Sequence, residues 1–168
     1  MSLIALLQTG CLLALVLLLM AAAWQDLRTM RIANAFSLAI AGSFLVWSVA
    51  SLALERLAPH DLALNAACAL GVFALGAVGF AAGMLGGGDV KLLAATSLFA
   101  GPALLTDFLL VTAVVGGALG LAVLAGAQIG PASAAGTVEL RVRLRGGLPY
   151  GPAIAAGGLW VAAVLAVG

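Results

Sequence analysis

Residues 3–24 read LIALLQTGCLLALVLLLMAAAW, an uncharged run closed by Gln25-Asp26-Leu27-Arg28. A helix crosses the hydrocarbon core of a bilayer with about 20 apolar residues, and this run supplies that length. On its C-terminal side, charges and Gly/Pro clusters cut the chain into comparable pieces. Ile32–Leu54 stops at Glu55-Arg56, and Leu62–Met84 leads to the glycine run Gly86-Gly87-Gly88. Val90–Ala100 is shorter and stops at Gly101-Pro102, and Ala103–Ala127 follows with Asp107 near its start. A polar stretch then leads to Tyr150–Val167. The expectation is an all-α polytopic membrane bundle of about six transmembrane helices, the fourth of them short.

Composition points the same way. Of 168 residues, 65% are hydrophobic and 8% charged, against about 45–50% and 25% in soluble domains. So few charges cannot cover a water-facing surface. A net charge of +1 leaves no basic face to neutralise phosphates, which excludes a nucleic-acid binder, and the apolar content excludes a disordered chain. A single transmembrane domain over residues 1–168 is expected, since the chain is too short for a bundle and a sizeable soluble domain together. Cys11 and Cys68 lie in apolar runs without a CxxC pair, so neither a metal site nor a disulfide framework is indicated. Ala21-Ala22-Ala23 resembles a signal-peptide cleavage site. No basic residue precedes the run, however, and it exceeds the usual core of about 7–15 residues, so a membrane span is the better reading.

Basic residues fix the expected orientation. With the N-terminus outside, the inner loops hold Arg28, Arg31, Lys91, Arg141, Arg143 and Arg145, and the outer loops only Arg56. Glu55, Arg56, His60 and Asp61 then form a solvated outer connector, with Asp107 on that side. Asp26 and Asp89 fall together at inner helix ends. Asp89 follows three glycines, which let another backbone approach closely. Alone it reads as a helix cap, and Asp26 alone reads as a charged stop. As a pair in a partly dry site, they cannot both ionise cheaply and would share a proton. Such a pair can activate water with its ionised member and protonate a carbonyl oxygen or leaving amine with the other.

The residues around both aspartates carry a resemblance. Gly86-Gly87-Gly88-Asp89 fits the GxGD signature of intramembrane aspartyl proteases. Residues 26–34, DLRTMRIAN, resemble the first aspartate motif of type IV prepilin peptidases, and Gly88-Asp89-Val90-Lys91-Leu92 resembles the second. Pro149-Tyr150-Gly151-Pro152-Ala153-Ile154-Ala155 is similar to the motif opening the last helix of short members. Together these motifs span Asp26 to Ala155. Ala33 stands where the family usually has Pro, which alters loop shape rather than titratable chemistry. The CxxC-bearing N-terminal region of larger members has no counterpart, so the likeness is to the short Flp/Tad-type form, without methyltransferase activity.

The resemblance implies an aspartic endopeptidase of the bacterial inner membrane. Its partners would be prepilin and pseudopilin precursors, cut on the cytoplasmic side just before their hydrophobic helix, and it would need no cofactor. Asp26 and Asp89 are the implied dyad. Gly86, Gly88, Asn34, Lys91, Pro149, Tyr150 and Gly151 are the implied substrate-binding set. Lys91 reads equally well as an anchor at the lipid surface. Residues 138–145, VELRVRLR, alternate apolar and polar, which suits either strand pairing with an extended substrate or a basic loop on headgroups. Gly79-x-x-x-Gly83 and Gly116-x-x-x-Gly120 read as helix contacts, within one chain as readily as in a homo-oligomer. Trp24 and Tyr150 read as interfacial rings. Two other classes fit the charges less fully: a small ion- or proton-coupled transporter using the aspartates, and a noncatalytic scaffold in which they cap helices.

Overall fold

The uncharged run that opens the chain becomes helix α1 (Leu3–Thr29), which continues past Trp24 and carries Asp26 near its end. A computed structural model describes residues 3–127 and 149–167. In α1 the buried positions Gln8, Cys11, Leu15, Leu19, Ala22 and Asp26 recur three or four residues apart, the spacing of a single helix face. Leu13 and Leu17 are exposed, at 58% and 67%, as side chains facing lipid would be. The Arg28 guanidinium lies 4.5 Å over the Trp24 ring, so Trp24 serves as an exposed platform for a cation. Met30 takes a left-handed conformation (φ 54°) that ends the helix. Thr29 Oγ1 donates to the carbonyls of Gln25 and Arg31, and the Ala33 N–H donates to Gln25 Oε1 at 3.0 Å. The short link to α2 (Asn34–Ala53) is thus held from within by the end of α1.

The next two helix ends follow one rule. After α2, Glu55 (φ 55°) turns left-handed, and the Arg56 and Glu55 N–H groups return to the Ser51 and Leu52 carbonyls. Helix α3 (Pro59–Ala81) closes in the same way at Gly83 (φ 71°), with Met84 bonded to Gly79 and Gly83 to Phe80. This is the Schellman arrangement that consumes orphan carbonyls. It corrects the reading of Gly79-x-x-x-Gly83 as a helix contact: Gly83 lies past the helix, where positive φ favours glycine.

The remaining elements are α4 (Gly87–Leu124) and α5 (Gly151–Val167). The described residues therefore form five helices rather than the expected count of about six. Helices α1 to α4 are long and apolar enough to cross a membrane, and α5 is a shorter apolar helix. The difference lies at Gly101-Pro102. Gly101 (φ 53°, ψ −170°) leaves helical geometry inside α4, and Pro102 withholds an N–H there. The break divides the element into two arms without a loop. Leu85, Asp89 and Leu93 share one cavity wall with Leu109, Thr112, Gly116 and Gly120. A straight helix rising 1.5 Å per residue would hold Leu85 and Gly120 about 50 Å apart, so the chain folds back at Gly101 and the arms lie side by side.

Helix α5 packs against α1 and α4, its Gly157–Gly158 pair facing Phe108 and Thr112 on one side and Leu19 and Thr96 on the other. Small residues at such crossings let helices approach where lipid supplies no hydrophobic drive for association. Leu15, Leu19, Ile40, Leu92, Phe108 and Val161 are fully buried. Phe44, Trp47 and Phe99 form an aromatic cluster between α2 and α4, with Phe44 and Phe99 edge to face at 5.3 Å.

A Cβ at Gly101 would strike Asn65 Oδ1, and its backbone conformation is one that only glycine adopts readily. Gly101→Ala should therefore cost about 1–3 kcal/mol, read as a lowered melting temperature of the solubilised protein. Adding Asn65→Ala should restore only part of the loss, because it removes the collision and leaves the backbone strain.

Candidate active site

Asp26 projects from the inward face of α1 and is only 4% exposed. Its Oδ2 accepts the Gly151 N–H at 2.8 Å. Gly151 opens α5, where N–H groups lack intrahelical partners and the dipole favours negative charge. The approach is close: a Cβ on Gly151 would lie 2.8 Å from Asp26 Cβ and 2.9 Å from Oδ2. Pro149 is fully buried beside this junction in sequence, and Tyr150 is half-buried.

Asp89 occupies the third position of α4, after the capping residue Gly86. Its Oδ2 accepts the Gly86 N–H at 3.1 Å, so the side chain reaches back to the cap backbone instead of capping the helix itself. Gly88 lies under the α1–α2 link, where a Cβ would meet the Ile32 carbonyl oxygen at 3.0 Å and Ile32 Cβ at 3.1 Å. Packing of the link on the glycine run brings the start of α4 toward the end of α1, so that Asp89 and Asp26 stand at the same end of the bundle. Among the described residues, neither Oδ1 of the pair has a hydrogen-bond partner, which leaves one oxygen of each carboxyl group free to accept or donate.

Lys91 and Asn34 are both exposed, and Lys91 Nζ donates to Asn34 Oδ1 at 2.9 Å. They bridge the starts of α4 and α2. Gln25, next to Asp26, holds the same link through Ala33. Tyr150 stands against Gly116, where a Cβ would lie 3.4 Å from its ring, and lines a cavity of about 480 Å³ with Asp89. A Cβ on Gly116 would also lie 3.5 Å from Ala153 Cβ of α5, the close helix contact its small size suggests. Gln25, Ile32 and the cavity residues Leu93, Leu109, Thr112, Ala113 and Gly117 were not singled out by the sequence. Gln25 carried a signal, as a polar neighbour of Asp26 at a helix end, and the others carried none. The alternating segment 138–145 lies outside the described residues. Among the described residues, no three His, Cys, Asp or Glu side chains are grouped to hold a metal ion.

Fold and site together define a multi-helix membrane protein with a pair of aspartates gathered at one end. The model of the type IV leader peptidase family matches residues 13–121, well over half of the chain, and the chain belongs to that family. Family membership makes it a peptidase and does not favour a transporter. The matched stretch contains Asp26, Asn34, Gly86, Gly88, Asp89 and Lys91. No curated protein and no solved structure gave a match.

Gly151→Ala should force the start of α5 away from Asp26, lowering both the melting temperature and the rate of leader cleavage, the latter at least tenfold. Gly10→Ala, where a Cβ meets nothing within 4 Å, should leave both unchanged.

Proposed function

We propose that this protein is an aspartic endopeptidase that removes the leader of type IV prepilins and pseudopilins, in the short Flp/Tad-type form, with Asp26 and Asp89 as its dyad. What supports the reading is a chain of the leader peptidase family in which the α1–α2 link, packed on Gly88, draws the start of α4 with Asp89 toward the end of α1 with Asp26. In the proposed step, the ionised carboxylate takes a proton from water, whose oxygen attacks the scissile carbonyl carbon. The protonated partner gives its proton to the carbonyl oxygen, forming a neutral gem-diol. Collapse breaks the C–N bond, and a proton passes to the departing amine. The water oxygen ends in the new carboxyl group, no redox change occurs, and no cofactor is required.

The placement of charge supports the proposed topology. Arg28, Arg31 and Lys91 cluster in sequence around the two aspartates, whereas Arg56 belongs to the α2–α3 connection with Glu55, His60 and Asp61. By the preference of basic loops for the cytoplasm, the dyad would lie on the cytoplasmic side of the bacterial inner membrane, with the N-terminus outside. The leader would then meet the dyad before the pilin's hydrophobic helix leaves the bilayer. Methyltransferase activity forms no part of the proposal.

Co-expression with a pilin precursor tests it directly. Asp26→Asn and Asp89→Asn should each abolish the shift in precursor size while the variant still inserts at wild-type levels. Full processing by either variant excludes the dyad.

A further inference from the structure

The cavity between the two arms of α4 has about 480 Å³ of space and is walled by Leu85, Leu93, Leu109, Ala113 and Ile154 beside Asp89. One water takes roughly 30 Å³, so this is no packing defect, and it lies within the ~300–1,000 Å³ typical of ligand sites. Among the described residues, Asp89, Thr112 and Tyr150 are its only side chains with polar groups. The wall therefore offers a charged or strongly polar guest no acidic partner beyond Asp89 itself. Thr112 Oγ1 is buried without a hydrogen-bond partner. Gly117 is exposed, and a Cβ built on it meets nothing within 4 Å. The second arm thus leaves room at Gly117 that no described residue fills, in contrast to Gly116, which Tyr150 fills.

We infer that this cavity is the subsite for apolar side chains of the substrate adjoining the scissile bond, with Gly117 setting the size it accepts. The inference rests on the peptidase reading of Asp26 and Asp89. Since Asp89 is part of the wall, a peptide bond held at that carboxyl group places its neighbouring side chains against Leu109, Ala113 and Gly117. Apolar lining suits an apolar guest, and the absence of Cβ at Gly117 lets a wide side chain or a second backbone lie against α4.

Two readouts on the full chain separate this inference from the reading beneath it. Gly117→Leu and Gly117→Trp should retain the wild-type melting temperature, raise KM for a pilin precursor at least tenfold, and leave kcat less affected. Shortening the apolar residue next to the cleaved bond to Ala should recover cleavage by Gly117→Leu relative to wild type. Independently, a precursor carrying benzoylphenylalanine at that position, incubated with the Asp89→Asn protein, should crosslink to Leu85, Leu109, Ala113 or Gly117. Normal cleavage by both Gly117 variants, with crosslinks elsewhere, overturns the subsite and leaves the peptidase standing. That result would assign the space to lipid. Crosslinks in the cavity without cleavage by the wild type would overturn the peptidase reading and leave the cavity a binding site for the precursor rather than a subsite. Neither crosslinks nor cleavage overturns both.

Discussion

The rest of the site depends on the hydrogen bond from the Gly151 N–H to Asp26, which joins residues 125 apart in sequence. A carboxyl group only 4% exposed inside an apolar bundle needs a partner, because a charge left unpaired in such surroundings costs several kcal/mol. The start of α5 supplies an otherwise orphaned donor and the favourable end of a helix dipole. The arrangement is reciprocal. Asp26 satisfies the entry of α5, and α5 in turn fills the space between α1 and the two arms of α4. Loss of that contact would unseat both a helix and a candidate catalytic group.

Asp89 is placed by different means. Its own carboxyl group is fixed locally, by Gly86 three residues earlier. The position of the whole α4 start is set by the α1–α2 link, which rests on Gly88 and is tied to α1 by Gln25. Met30 takes the left-handed conformation that turns this link, at a cost of about 1–2 kcal/mol for a residue with a Cβ. The Lys91–Asn34 bond adds a tie between the same elements. As an exposed contact it contributes little to stability, and its value lies in register. One carboxyl group is therefore set by a long-range helix contact and the other by a short link, and the glycines at both contacts allow the close approach.

Most of this was legible because charge is scarce in the chain. A carboxyl group bordering a long apolar run has few reasons to be there, so Asp26 and Asp89 stood out before any fold was known. Apolar runs of bilayer length marked the long helices to within a few residues. The count of helices turns on Gly101-Pro102, where the chain leaves helical geometry and folds back, so that a single element by its bounds is two arms by its path. Gly83 was misread because a glycine at four-residue spacing looks alike inside a helix and just beyond its end. The cavity was illegible for a related reason. Gly116 and Gly117 are neighbours with the same lack of side chain, yet one is filled by Tyr150 and the other faces open space. That depends on how Tyr150 returns from the far end of the chain, which local sequence does not encode.

The partners that the aspartates lack bear on the proposed chemistry as much as those they have. Arg28, Arg31 and Lys91 all lie close in sequence to one or the other, so an ion pair would be easy to build. Among the described residues none is formed: Arg28 sits on Trp24, Lys91 on Asn34, and the one carboxylate ion pair is His60 with Asp61. A lysine or arginine against either carboxyl group would favour its ionised form and work against a proton shared between the two. Backbone N–H donors hold each group in place while adding no full positive charge. A dyad that must carry one proton and one charge at once needs that combination. Under the proposed chemistry, the Asn34 amide oxygen that accepts from Lys91 would engage the cation nearest to Asp89 in sequence without adding a charge of its own.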